Sequence, residues 1–147
     1  MFFVYYLFFS KTLNAKDNPM NYMEKAKFDK NGLITAIAQD NKTAKVLMVA
    51  YMTRETLEKS LKLNKMVYWS RSRQKEWIKG ETSGNTQLIK EVRFDCDGDA
   101  ILFKVEQKGG ACHEGWESCF AYKVDVDGKI TIDGNKMFDP DKVYRRD

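Results

Sequence analysis

"VLMVAYMTRETLEKSLKLNKMVYWS", residues 46–70, holds the decision between a helical chain and a sheet-built one. Its first seven residues, Val46–Met52, form an apolar run that reads as a buried strand. Thr53 then offers a hydroxyl as N-cap. Glu55 and Glu58 lie early in the next segment, Lys62 and Lys65 lie late, and Leu57 and Leu61 share one face at i, i+4. This spacing predicts one amphipathic helix of about three turns, stopped at Asn64. The chain then becomes strand-like again in "MVYWSRSR", residues 66–73.

The same alternation spreads outward in both directions. Upstream, "FDKNG" carries the Asn31-Gly32 turn signal, "LITAIAQ" reads as a strand, and "DNKTAK" is the polar turn before Val46. Downstream, "EWIKGETSGNTQ" (76–87) reads as a loop rich in glycine and hydroxyls. "IKEVRFDCD" leads into "AILFKVEQ", where Ile101, Phe103 and Val105 oppose Leu102, Lys104 and Glu106. "AYKVDVDGKITI" reads as a hairpin turning at Asp127-Gly128. No repeat or linker divides the chain. The expected class is mainly β (α+β) with one main helix.

With 147 residues the chain suits a single domain that buries a core without staples. A net charge of +4 with no long Lys/Arg block suits a protein that handles phosphate without demanding nucleic acid. Three cysteines, an odd number, exclude a full disulfide framework and favour a reducing compartment. The start, "MFFVYYLFFS", is apolar for about ten residues, against roughly 20 needed to span a bilayer. It lacks a basic start, and "LNA" (13–15) is a poor cleavage site. Residues 1–22 are therefore read as an extension outside the fold, with a signal or anchor as the alternative. Residues 23–147 are read as the domain, placed in the cytoplasm.

The cysteines and the only histidine are unevenly spread. "GGACHEGWESCF" (109–120) holds Cys112, His113 and Cys119, and Cys96 lies sixteen residues before Cys112. On a helix, Cys112 and Cys119 would stand roughly 10 Å apart along the axis. Two thiolates on one tetrahedral zinc must lie roughly 3.8 Å apart. A shared ion therefore requires the segment to curl, which Gly109, Gly110 and Gly115 permit. Three ligands are the count of a catalytic zinc with one position left for water. His113, adjacent to Cys112, is better placed to move protons beside the metal than to ligate it. The plainer reading makes the cysteines small buried hydrophobes and the histidine an ordinary polar residue.

Asp95, Asp97 and Asp99 alternate with Cys96 and Gly98. In a straight strand the outer two carboxylates would stand about 13 Å apart. A bend at Gly98 is needed before they can share a hard cation such as Mg²⁺. An EF-hand register fails at its sixth position, Ala100, and its flanks read as strands. A solvated acidic turn is the bland alternative. "WSRSRQKEWIKGETSGNTQ" (69–87) offers Arg71, Arg73, Lys79 and a "TSGN" turn as phosphate partners, and Trp77 as a surface for a base. A charged edge strand followed by an ordinary loop fits the same composition.

Taken in order, "VLMVAYM", "YWSRSR", "EWIKGETSGNTQ", "DCDGDAILFKVEQ" and "ACHEGWESCF" resemble the phosphoribosyl-AMP cyclohydrolases of histidine biosynthesis. The resemblance runs from about Met23 to Tyr122, and the cysteine spacings of sixteen and seven coincide with that family's pattern. It implies a compact barrel-like β fold in an intertwined homodimer. It further implies zinc on Cys96 of one subunit and Cys112 and Cys119 of the other. Asp95, Asp97 and Asp99 would hold Mg²⁺, and His113 would be the catalytic acid/base. Substrate contacts are expected from Arg71, Arg73, Trp77, Lys79, Glu81, Ser83 and Gly84. The implied reaction is hydrolysis of the N1–C6 bond of 1-(5-phosphoribosyl)-AMP, a small nucleotide, with no nucleic-acid or membrane partner. The competing class is a non-catalytic zinc module contacting RNA or phosphate ligands.

Overall fold

A computed structural model describes residues 21–144. Of the extension read over residues 1–22, residues 1–20 lie outside the described residues. The described chain opens with one helical turn, α1 (Tyr22–Lys25), capped by the Asn21 side chain. There follow β1 (Ile34–Asp40), β2 (Val46–Met52), α2 (Arg54–Leu63), β3 (Val67–Ser70), β4 (Lys75–Ile78), β5 (Gln87–Phe94) and β6 (Ala100–Gln107). A hairpin, β7 (Tyr122–Val124) and β8 (Ile130–Ile132), and a last turn, α3 (Pro140–Val143), complete it.

Six strands make one sheet in the order β4-β3-β2-β1-β6-β5, antiparallel except where β1 and β6 run parallel. The sheet curls into a half-barrel because its far strands meet. Met66 N–H donates to Gln87 O and Ile89 N–H to Asn64 O, both at 3.2 Å, so β5 docks on the chain entering β3. One face forms the core. Ile34, Ala36 and Ala38 of β1 and Ile101, Phe103 and Val105 of β6 are buried there with Leu47, Met52, Leu57 and Tyr68. The alternation expected for β6 is the one observed. Among the buried polar groups, the Tyr68 hydroxyl donates to Gln87 Oε1 at 2.7 Å and Gln87 Nε2 donates to Gln107 Oε1 at 2.8 Å.

The helix follows from its local signals. Thr53 and Thr56 exchange side-chain and backbone hydrogen bonds at the start, a reciprocal cap. Asn64 ends α2 in the left-handed conformation, φ 54°. Its inner face is Thr56, Leu57 and Ser60, and the Ser60 hydroxyl accepts from Val67 N–H at 2.9 Å to fix the return into β3.

Three expectations need correction. β2 is not wholly buried: Val49 is 45% exposed. In register it flanks Ile37, which in turn flanks Leu102. These three form an apolar row on the face away from the core, with Ile37 and Leu102 half-buried and Val49 exposed among the described residues. Second, "MVYWSRSR" ceases to be a strand at Ser70, because Arg71–Gln74 turn back. Third, the segment read as a loop from Glu76 begins as strand β4, paired with β3. That turn carries neither Gly nor Pro. Gln74 adopts φ 50° and the Ser70 hydroxyl accepts from Arg73 N–H at 3.3 Å, so its usual markers are missing. The β7–β8 hairpin forms as expected, but Val124, Ile130 and Ile132 are all exposed, as is Val126 in the turn. Among the described residues no helix is long and apolar enough to cross a membrane.

Candidate active site

Beyond β6 the chain curls instead of extending. Ala111 N–H donates to Glu117 O, Cys112 N–H to Trp116 O and Gly115 N–H to Cys112 O, at 3.0–3.1 Å. Gly115 makes the bend at φ 87°, where a Cβ would lie 2.2 Å from Phe138 O, so no other residue fits without displacing backbone. The outgoing arm is pinned to β2: Cys119 N–H donates to Leu47 O at 2.7 Å and the Ser118 hydroxyl to Val46 O at 2.8 Å. Lys45, just before β2, pairs with Glu117.

This curl sets the Cys119 thiol against that of Cys112, which is buried. Partial burial and the neighbouring sulfur push the Cys119 thiol up to about 12. A thiol so placed stays protonated at neutral pH unless a cation holds it as the thiolate. As a donor set the pair suits a soft-to-borderline metal such as zinc. Cys96 stands apart, exposed in the turn between β5 and β6. It does not join the other two sulfurs in any three-ligand group within one chain, among the described residues.

The acidic turn does bend where the carboxylate spacing requires. Gly98 takes φ 85° and Asp95 Oδ1 accepts from Gly98 N–H at 2.8 Å. Asp95, Asp97 and Asp99 thereby bring oxygens within 4.8 Å of one another, an arrangement compatible with a bound cation. The hydrogen bond that the Asp99 carboxyl donates to Asp95, together with the charges of Asp97 and Asp95, raises Asp99 above its ordinary value. From outside, Lys25 Nζ donates to Cys96 O at 2.7 Å and Lys27 N–H to Gly98 O at 2.8 Å.

A cavity of about 380 Å³ opens between β4, the loop after it and the cysteine loop. It gathers Arg73, Trp77, Lys79, Glu81, Ser83 and His113, and adds Tyr144, which no sequence motif had marked. Gly84 lies in the same loop without lining the cavity. Arg71 is elsewhere, with its guanidinium 3.9 Å from the Tyr51 ring centroid. Trp77 packs on Tyr68, ring centroids 5.0 Å apart.

Lys79 differs most from expectation. It is 6% exposed and has no carboxylate partner among the described residues. Burial lowers its pKa, and the nearby sulfurs of Cys119 and Cys112 pull it back up. Reading 76–87 as a loop concealed this. β4 ends at Ile78, and Lys79, just past it, donates its N–H to Met66 O at 2.9 Å, which turns its side chain inward.

A family model described as phosphoribosyl-AMP cyclohydrolase matches residues 48–121. A relative from Salinibacter ruber bearing that name is 57% identical over 122 residues, which is 83% of this chain and 95% of the relative. The chain belongs to the phosphoribosyl-AMP cyclohydrolase family. Cyclohydrolases from Pelotomaculum thermopropionicum and Chlorobium limicola are 54% and 53% identical, covering 83% and 88% of this chain and 95% and 94% of their own lengths. The cyclohydrolase match contains the acidic turn, all three cysteines, His113 and Lys79. Membership makes the chain an enzyme, a hydrolase of histidine biosynthesis.

Proposed function

We propose that this chain hydrolyses the N1–C6 bond of the adenine ring in 1-(5-phosphoribosyl)-AMP. The ring opens to the formimino-aminoimidazole carboxamide ribotide. Zinc would be held by Cys96, Cys112 and Cys119, and Mg²⁺ by Asp95, Asp97 and Asp99. The observation that carries this reading is the Cys112–Cys119 pair set beside a cavity that contains His113 and Lys79.

Cys96, Cys112 and Cys119 would hold the zinc, which would supply Lewis acidity to make a water acidic enough to react at neutral pH. The remaining work falls to side chains. Ribosylation at N1 makes C6 electrophilic. His113 accepts a proton from the attacking water and returns it to N1 as the C6–N1 bond breaks. Three thiolates on a divalent ion leave a net charge of −1, which opposes acidification of that water. The buried Lys79 ammonium, without a carboxylate partner among the described residues, offsets it. Arg73, Ser83 and the backbone of the "ETSGN" loop bind phosphate, and Trp77 flanks the base.

A homodimer completes the zinc set in this account, with Cys96 from one copy and Cys112 and Cys119 from the other. Support comes from the separation of Cys96 from the pair within one chain, from the apolar row Val49–Ile37–Leu102 with its exposed Val49, and from the exposed β7–β8 hairpin, among the described residues. Residues 23–147 form the catalytic domain in this reading, residues 1–22 an extension, and free thiols suit the cytoplasm. The non-catalytic RNA-binding alternative is not favoured by a family of named enzymes. The test is ultraviolet detection of ring opening with zinc and Mg²⁺ supplied, with and without chelator. Turnover abolished by chelation supports the proposal, and no turnover under any metal condition refutes it.

A further inference from the structure

The last described segment is built onto the cysteine loop. Lys136 Nζ donates to Glu114 O at 2.6 Å and Met137 N–H to Gly115 O at 2.7 Å. The Lys136 ammonium also lies 4.4 Å from the Trp116 ring centroid, and Glu117 N–H donates to Asn135 O at 2.9 Å. Phe138 fills the space that two glycines leave. A Cβ at Gly110 would lie 3.0 Å from its ring, and one at Gly115 would lie 2.2 Å from its carbonyl oxygen. Residues 135–138 therefore share one frame with the loop that carries His113.

From Phe138 a short route leads back to the cavity. Asp139 caps α3, its side chain accepting from Asp141 N–H at 3.1 Å, and Pro140 brings a fixed φ suited to a first helical position. Tyr144 N–H donates to Pro140 O at 2.8 Å and ends the turn. The Tyr144 ring meets that of Phe138 at 62°, with centroids 6.2 Å apart. Such an edge contact occupies at most one face of either ring. Tyr144 is half-buried and lines the cavity of about 380 Å³ together with His113. Arg73, Lys79, Ser83 and His113 bring polar groups to that cavity, whereas Trp77 and Tyr144 bring its large aromatic surfaces. Polar groups hold phosphates and hydroxyls, but the flat faces of a purine are matched by aromatic surface.

We infer that Tyr144 is a base-contacting residue: its ring packs against the purine of the bound nucleotide, carried there by a strap, residues 135–144, anchored on the cysteine loop. The inference rests on the proposed function in placing a purine nucleotide in this cavity. It adds a contact from beyond the family match, which stops at residue 121.

AMP, which carries the purine but lacks the N1 substituent, is titrated calorimetrically into the full chain, with Tyr144→Ala and Tyr144→Phe beside wild type. Tyr144→Ala should bind AMP roughly tenfold more weakly, and Tyr144→Phe, which keeps the ring, should recover most of that loss. With phosphoribosyl-AMP, Tyr144→Ala should raise KM by a similar factor while kcat falls far less. No AMP binding by wild type, equal AMP affinity in Tyr144→Ala, or a loss in Tyr144→Phe as large as in Tyr144→Ala overturns the inference. So does an equal loss of affinity for ribose 5-phosphate, which has a phosphate and no base, because the effect would then be one of general packing. The two proposals fail separately. A protein whose AMP affinity follows the Tyr144 ring yet never opens the ring of phosphoribosyl-AMP contradicts only the function. One that opens it with KM indifferent to Tyr144→Ala contradicts only the base contact.

Discussion

Replacing Gly98 by alanine addresses the link between the fold and the acidic turn. Gly98 sits at φ 85°, and a Cβ there would lie 2.1 Å from the Lys25 carbonyl oxygen. The left-handed conformation costs an alanine about 1–2 kcal/mol. The obstacle is backbone, so residues 25–27 must retreat. Retreat surrenders two hydrogen bonds, Lys27 N–H to Gly98 O at 2.8 Å and Lys25 Nζ to Cys96 O at 2.7 Å. At about 1 kcal/mol each they bring the total to roughly 3–4 kcal/mol. For a chain of this size that corresponds to a melting point lower by about 10 °C. Calorimetry reads the melt, and Mn²⁺ titration followed by electron paramagnetic resonance reads the carboxylates. Gly98→Ala should melt about 10 °C lower and bind Mn²⁺ more weakly. A melt within about 2 °C of wild type with unchanged Mn²⁺ affinity would refute the steric reasoning. A lowered melt with intact Mn²⁺ binding would refute the claim that this bend gathers the carboxylates.

His113→Ala should cut turnover by roughly 10²-fold or more while zinc content is retained; zinc lost from that variant would instead make His113 a ligand. Lys79→Met should move the acid limb of the pH–rate profile upward by about one unit, with Lys79→Arg restoring it, and an unmoved limb would remove Lys79 from the charge balance. Glu117 is held below its usual 4.5, first by the Lys45 ammonium and also by Asn135, against a burial penalty. Its folded value is the lower one, so its stabilisation is complete above about 4.5 and vanishes as pH falls through the depressed value. Glu117→Gln should therefore lose less than about 1 kcal/mol at pH 7 and match wild type well below pH 4, as followed by melts across pH.

What could be read beforehand was local. Thr53, Leu57 and Asn64 specify α2 within a dozen residues, and the alternation of Ile101, Phe103 and Val105 specifies the inward face of β6. The bend at Gly98 and the curl of the cysteine loop followed from ligand geometry, because only those conformations bring the donor atoms together. The Arg71–Gln74 turn was hidden because Gln74 takes a left-handed conformation usually left to Gly or Asn. That error at β4 in turn hid the burial of Lys79. Parallel pairing of β1 with β6 and docking of β5 beside Asn64–Met66 depend on contacts distant in sequence, as does the reach of Tyr144 into the cavity. The exposure of Val49 could not be read from an apolar run whose composition alone suggested burial on both faces.

The central claim, a three-sulfur zinc site shared between two copies, is tested most directly by pairing two defective chains. Cys96→Ser and Cys112→Ser proteins carrying different affinity tags should each lack zinc and turnover. Co-expressed and purified through both tags, their heterodimer rebuilds one of its two sites from the intact halves. It should regain about half the wild-type zinc and turnover. A heterodimer that isolates cleanly yet contains no zinc and opens no ring would contradict the shared site, since a site built within each chain leaves both of its sites broken.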